Sequence, residues 1–179
     1  LTAVASLRAI PSLGKELTAL VNAAFSDPDD DNDRRFPSNE PDVLFEETYF
    51  GEKVVKRKPR KSNDPRCFYG NLGSGNRVIK SADVRRRLAE EEGVIAFEME
   101  AAGLMNSFNC IAIRGVCDYA DSHKHKKWQP YAAAVAAAYA KRLLSVISTQ
   151  AVEDLEPVNS KYSSLSQQLS AREKASWVW

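Results

Sequence analysis

Five ionisable side chains sit in the most apolar part of the chain. Residues 93–121 read GVIAFEMEAAGLMNSFNCIAIRGVCDYAD and carry Glu98, Glu100, Arg114, Asp118 and Asp121. A bare carboxylate in apolar surroundings is costly unless something pairs with it or uses it. Carboxylates held at the ends of strands can accept hydrogen bonds from ligand hydroxyls or move a proton. Simpler roles stand beside these. Glu100 can be a first-turn acid favoured by a helix dipole, and Asp118 a loop or cap residue. Arg114 is the natural partner of one of the glutamates, as a structural ion pair.

The elements that would position these groups follow from periodicity and turn residues. VIAFEM and CIAIRGVC are short apolar runs rich in β-branched residues, with AAGLMNSF as a short helix between them. That pattern predicts a strand–helix–strand unit with two parallel strands in a covered sheet. Glu98 and Glu100 then end the first strand, and Asp118 lies just past the second, at the edge where open α/β sheets gather ligands. Upstream, residues 4–25 show helical spacing interrupted near Pro11 and Gly14. Residues 26–42 read as a polar loop, 43–50 (VLFEETYF) as a strand, and 53–66 as a basic, proline-bearing connection. Residues 67–79 (CFYGNLGSGNRVI) fit a strand ending in a tight turn. Ser81 is set to cap a helix over 82–92, which Gly93 stops. Residues 131–147 form an alanine-rich helix, and 151–179 read as a tail or linker.

Composition narrows the function classes. The chain has 179 residues, 44% hydrophobic and 27% charged, with a net charge of +1. That is an ordinary globular balance with no global push towards nucleic acid or anionic membrane. No run is long and apolar enough to span a bilayer. Three cysteines, Cys67, Cys110 and Cys117, form no framework spacing and point to a reducing compartment, the cytoplasm. His123 and His125 lack the further ligands a metal site needs, so no metal is expected and DSHKHKKW reads as a solvated loop flanking the pocket, with Trp128 as its cap. The basic residues at 53–60 and Arg85 to Arg87 read as solvated surface.

EMEAAGL followed by IRGVCDYAD resembles the nucleoside phosphorylase/nucleosidase superfamily, in particular the purine-nucleoside-phosphorylase-like domains at the N-terminus of fungal NACHT- and ankyrin-containing (NLR-like) proteins. GSGNRVI and the segment from Asp121 to Ile147 fit the same resemblance, which covers residues 1–150. It implies a three-layer αβα fold with a central mixed β-sheet, N-terminally truncated, so that 1–150 is the C-terminal portion of the domain. The implied substrate is a purine nucleoside and the implied reaction N-glycosidic bond cleavage, with no cofactor and with phosphate as a co-substrate of the intact domain. Met99 would pack against the ribose, Glu100 would bind its hydroxyls, and Glu98 would organise the water or sugar side. Val78 and Ile79 would lie along the base, and Asp118 would hydrogen-bond or protonate the purine near N7. Cys117 stands where the nucleosidases commonly have Ser, which loosens the expected orientation of Asp118.

Such cleavage places positive charge on the sugar and negative charge on the departing base. An acid at the base then contributes roughly two to four orders of magnitude, provided it holds or shares a proton. The resemblance also implies that the nucleophile side of the site lies outside this chain. The alternative is a nucleoside-sensing or scaffold module without catalysis, with NACHT or repeat domains downstream. Superfamily members assemble as homo-oligomers, and neither nucleic acid nor membrane is an expected partner.

Overall fold

The computed structural model describes residues 2–26, 34–108, 110–148 and 152–153. The chain divides into two compact units, Leu1–Leu143 and Leu144–Trp179. In the second, only 144–148 and 152–153 are described, so the predicted tail at 151–179 lies almost wholly outside the described residues.

The first unit opens with α1 (Thr2–Arg8) and α2 (Leu13–Ala24). The break falls at Pro11, which cannot continue the first helix. Gly14 does not divide the helices as predicted but sits inside α2, where a Cβ would lie 2.6 Å from the Pro65 carbonyl oxygen. Leu13, Leu17 and Val21 follow one another at four-residue spacing and are all buried. The remaining core comes largely from Leu7 on α1 and from Ala132, Ala134, Ala138, Tyr139 and Leu143 on α5 (Gln129–Leu144). Arg142 on α5 reaches Glu16 on α2 at 3.1 Å.

The predicted strand at 43–50 is one arm of a hairpin. Strand β1 (Phe45–Thr48) turns at Tyr49 and Phe50 into an antiparallel β2 (Gly51–Val54), with Gly51 at φ 106°. That positive φ is why glycine stands there. β2 occupies the start of the segment read as a basic connection.

Helix α3 (Ala82–Glu92) has the predicted bounds for the predicted reasons. Ser81 Oγ accepts from the Val84 N–H at 3.2 Å, and Gly93 leaves the helix in the left-handed region at φ 63°. It connects β3 (Asn71–Ser74) to a parallel β4 (Val94–Glu98), with Leu72↔Ala96, Gly73↔Phe97 and Ser74↔Glu98 in register. Gly73 permits that closeness, since a Cβ there would lie 2.9 Å from the Phe97 ring.

Two expectations therefore need correction. The parallel partner of VIAFE is NLGS, reached through α3, and CIAIRGVC forms no strand. A parallel crossover needs a dozen or more residues, which the α3 connection supplies and the five-residue α4 (Ala101–Met105) does not. The sheets are also separate, β1–β2 antiparallel and β3–β4 parallel, with no central mixed sheet among the described residues. The described residues are thus α/β with two small sheets. Residues 110–117 instead run close to α5, where a Cβ on Gly115 would fall on the Ala132 carbonyl group.

Candidate functional site

Because β3 and β4 are parallel, their C-terminal ends lie side by side. The Gly75 N–H donates to the Glu98 carbonyl at 3.2 Å across them. Glu98 ends β4 and Met99 and Glu100 follow it, while Val78 and Ile79 lie four and five residues past the end of β3, in the connection to α3.

Glu98 is buried, and its Oε2 accepts from the N–H groups of Glu100 at 3.0 Å and Ala101 at 2.9 Å. It therefore satisfies two donors at the start of α4, a capping role the sequence reading did not assign. Ser74, opposite in the ladder, adds its hydroxyl as an acceptor for the Ala102 N–H at 2.8 Å. Burial pushes the Glu98 carboxyl up, but Ser74, the two N–H groups and Arg114 together hold it below the usual range. Its Oε1 is buried without a hydrogen-bond partner of good geometry.

Glu100 is exposed and pairs with Arg114 at 2.9 Å. This contact draws the segment 110–117 towards the end of β4. Met99 and Val78 are both close to half exposed, as apolar walls open to solvent.

Asp118 is engaged differently. Its Oδ1 accepts from Lys124 Nζ at 2.6 Å and from the Ala120 N–H at 2.9 Å. The second contact bends the chain so that Ala120 takes φ 54°, a left-handed conformation uncommon for alanine. Cys117 Sγ lies 3.7 Å from Oδ2, and burial beside Asp118 pushes that thiol up, which keeps it a donor. Asp118 is thus an acceptor on every contact it makes. No hydrogen bond or ion pair joins it to Glu98 or Glu100, and two concavities of the described residues lie elsewhere. One, of about 240 Å³, includes Asn22, Phe36, Asn63 and Tyr131 in its lining, and the other lies along α5 at Ala133, Ala134 and Ala137.

The loop after Asp118 is largely exposed, as expected, with Ser122, His123, Lys124, Lys126 and Lys127 at the surface, but it is tied down at several points. Asp121 is 1% exposed, and Arg85 of α3 meets it at 3.4 Å while also donating to the carbonyls of Tyr119 at 2.8 Å and Phe45 at 2.7 Å. Arg86 and Arg87 remain at the surface, paired with Asp83 of their own helix, but Arg85 does not belong with them. His123 stacks on Phe45 at 3.7 Å and faces Glu52 at 3.6 Å. His125 meets Glu40 at 3.1 Å, and Trp128 donates to the Pro41 carbonyl at 3.3 Å.

Arg57 and Arg60, read as solvated, converge on Asp42 at 3.0 Å each, and the Tyr119 hydroxyl joins them at 2.5 Å. Burial pushes the Asp42 carboxyl up, yet these three donors outweigh it and bring it down to about 2. Asp121 was visible in the sequence as a carboxylate close after an apolar run, but its pairing with the arginine-rich helix upstream was not assigned. Among the described residues no His, Cys, Asp and Glu group is placed to hold a metal ion, and no helix is long and apolar enough to cross a membrane.

No protein-family model matches the chain, and no solved structure matches it. It is similar to a nucleotide-binding leucine-rich repeat (NLR)-like protein of Hyaloscypha variabilis (strain UAMH 11265 / GT02V1 / F), at 64% identity over 160 residues, or 86% of this chain. Those residues span 16% of the relative, so what the chain resembles is one segment of a much longer NLR-like protein.

Proposed function

We propose that residues 1–150 belong to a nucleoside phosphorylase-like domain that serves an NLR-like protein as a purine-nucleoside-binding module, without turnover of its own. In this reading 151–179 link it to other domains. The parallel β3–β4 pair is one part of a larger three-layer αβα sheet whose other strands come from elsewhere in the parent.

The observation that carries the reading is the engagement of the three acids. Glu98 caps α4, Glu100 is paired with Arg114, and Asp118 accepts from an ammonium, an N–H and a thiol. Groups held this way bind and orient. Asp118 accepts on each of these contacts, which suits an orienting role. The similarity to an NLR-like protein supports the same conclusion, since nucleoside binding would there be a signal rather than a metabolic step.

The roles follow the resemblance. Glu100 takes the ribose hydroxyls, Met99 lies against the sugar, and Val78 and Ile79 flank the base. Glu98 organises the water or sugar side, and its buried Oε1, which has no hydrogen-bond partner of good geometry, supports that role. Asp118 meets the purine edge through Oδ2. A catalytic reading remains the second one, favoured by the presence of acids at 100 and 118 with the motif around them. In that case the parent supplies the nucleophile side, with phosphate or water as acceptor.

Titration of the isotope-labelled protein with inosine and adenosine tests the proposal by NMR. Shifts confined to Val78, Ile79, Met99, Glu100 and Asp118, and weakened in Glu100→Gln and Asp118→Asn, are the expected result. Saturating nucleoside with no shift there would overturn the binding site, and release of free base would overturn the absence of turnover.

A further inference from the structure

Among the described residues, strand β2 is bonded on one side only. The Val55 N–H donates to the Leu44 carbonyl at 2.9 Å, continuing the ladder in which Phe45 faces Val54 and Glu47 faces Glu52. Antiparallel ladders alternate, so Gly51, Lys53 and Val55 turn their backbone groups towards β1. Glu52, Val54 and Lys56 turn theirs outward. All four residues of β2 are exposed and the sheet has only two strands. The opposite edge is occupied in part, because the Phe45 carbonyl accepts from Arg85. The outer edge of β2 is therefore the open template for another strand.

We propose that this edge pairs antiparallel with the same edge of a second copy of the chain, about a two-fold axis through Val54. The sequence is complementary to itself about that residue. The register sets Glu52 opposite the partner's Lys56, and by symmetry Lys56 opposite the partner's Glu52. Val54 exchanges both backbone hydrogen bonds with the partner's Val54. Lys56 is exposed and makes no ion pair among the described residues, while Glu52, although it accepts from Ser122 at 2.5 Å, keeps a side chain 37% exposed.

The same register carries the turn aromatics towards cover. Tyr49 and Phe50 are 97% and 94% exposed, their rings packed edge to face at 5.3 Å. The partner's chain beyond its Lys56, with the alkyl stem of Lys58 and the ring of Pro59, runs towards that end of the hairpin. The hairpin is held from below by Arg85 on Phe45, Ser81 on Glu47 and His123 against Phe45. Such an edge is presented preformed, so little ordering opposes pairing.

Sedimentation velocity over a wide concentration range tests the proposal, with circular dichroism as a check on folding. The unmodified chain should form dimers that weaken as salt is raised. Val54→Pro removes an outward N–H and leaves the β1 ladder whole, so it should give a folded monomer. Lys56→Glu sets like charges against each other twice and should weaken the dimer by roughly tenfold or more. The double variant Glu52→Lys with Lys56→Glu should restore it. Val54→Cys, with the exposed Cys110 replaced by serine, should oxidise to a cross-linked dimer, because facing residues of a hydrogen-bonded pair lie about 5.5 Å apart. A monomer at every concentration would overturn the proposal. So would a dimer indifferent to Val54→Pro, or a charge swap that fails to restore pairing in a folded double variant.

Discussion

Residues 93–117 and residues 118–128 adjoin in sequence and differ in the opposite sense to their composition. The first stretch is the more apolar, yet it leaves Ile95, Met99, Leu104, Met105, Ile111 and Val116 between 44% and 64% exposed. The second is charged and histidine-rich, yet it is pinned through Asp121 to α3, through His123 to the hairpin, and through His125 and Trp128 to residues 40–41. Apolar composition creates a demand for cover, and only neighbours can meet it. Polar composition is compatible with a fixed loop when each charge finds a directional partner. In this chain the part with the apolar composition is the proposed ligand edge, and the exposed, charged loop is anchored beside it through Asp121, His123, His125 and Trp128.

The sharpest way to break that comparison is to cut the anchor. Asp121→Ala leaves the Arg85 cation partly buried without its carboxylate, and chemical denaturation should register a loss of about 3–5 kcal/mol. A loss below about 1 kcal/mol would mean that the loop is held by its other contacts.

Acid should release the same region. Asp42 is held to about 2, below its unfolded value of 3.8, by Tyr119, Arg57 and Arg60. A group whose folded value is depressed contributes stability that is complete above its unfolded value and disappears as pH falls through the folded one. About 2 kcal/mol should therefore be lost between roughly pH 4 and pH 2. An Asp42→Asn variant should show a flatter slope across that window in pH-dependent urea unfolding.

Ser81→Ala should cost about 1 kcal/mol by removing the cap on Val84 N–H, with the loss visible in thermal unfolding. The smallest effect belongs to the ligand edge. Glu100→Gln breaks an exposed ion pair with Arg114 and should change stability by no more than about 1 kcal/mol, while weakening nucleoside binding. A large loss of stability in that variant would make Glu100 a structural acid and remove it from the site.

Much of the local structure was legible because single residues dictate it. Ser81 and Gly93 bracket α3, Pro11 ends α1, and the four-residue spacing of Leu13, Leu17 and Val21 gives α2 its buried face. The hairpin was harder to read because Tyr49-Phe50 is not the Asn-Gly or Asp-Gly pair that marks a tight two-residue turn, and only Gly51 hints at it. The pairing of strands was misjudged because CIAIRGVC has the composition of a buried strand, and pattern alone does not say which strand lies beside which. The site was legible in part. Arg114 does meet a glutamate, but as an exposed pair rather than the buried one that burial cost implied, and the capping role of Glu98 and the Lys124 contact of Asp118 depend on where the chain turns after the strand.

Equilibrium dialysis with labelled inosine, followed by chromatography of the retained label, tests the central claim most directly. The account predicts label concentrated on the protein side and recovered as intact nucleoside, with the enrichment lost in Glu100→Gln. Retention of no label, or recovery of it as hypoxanthine, would contradict it.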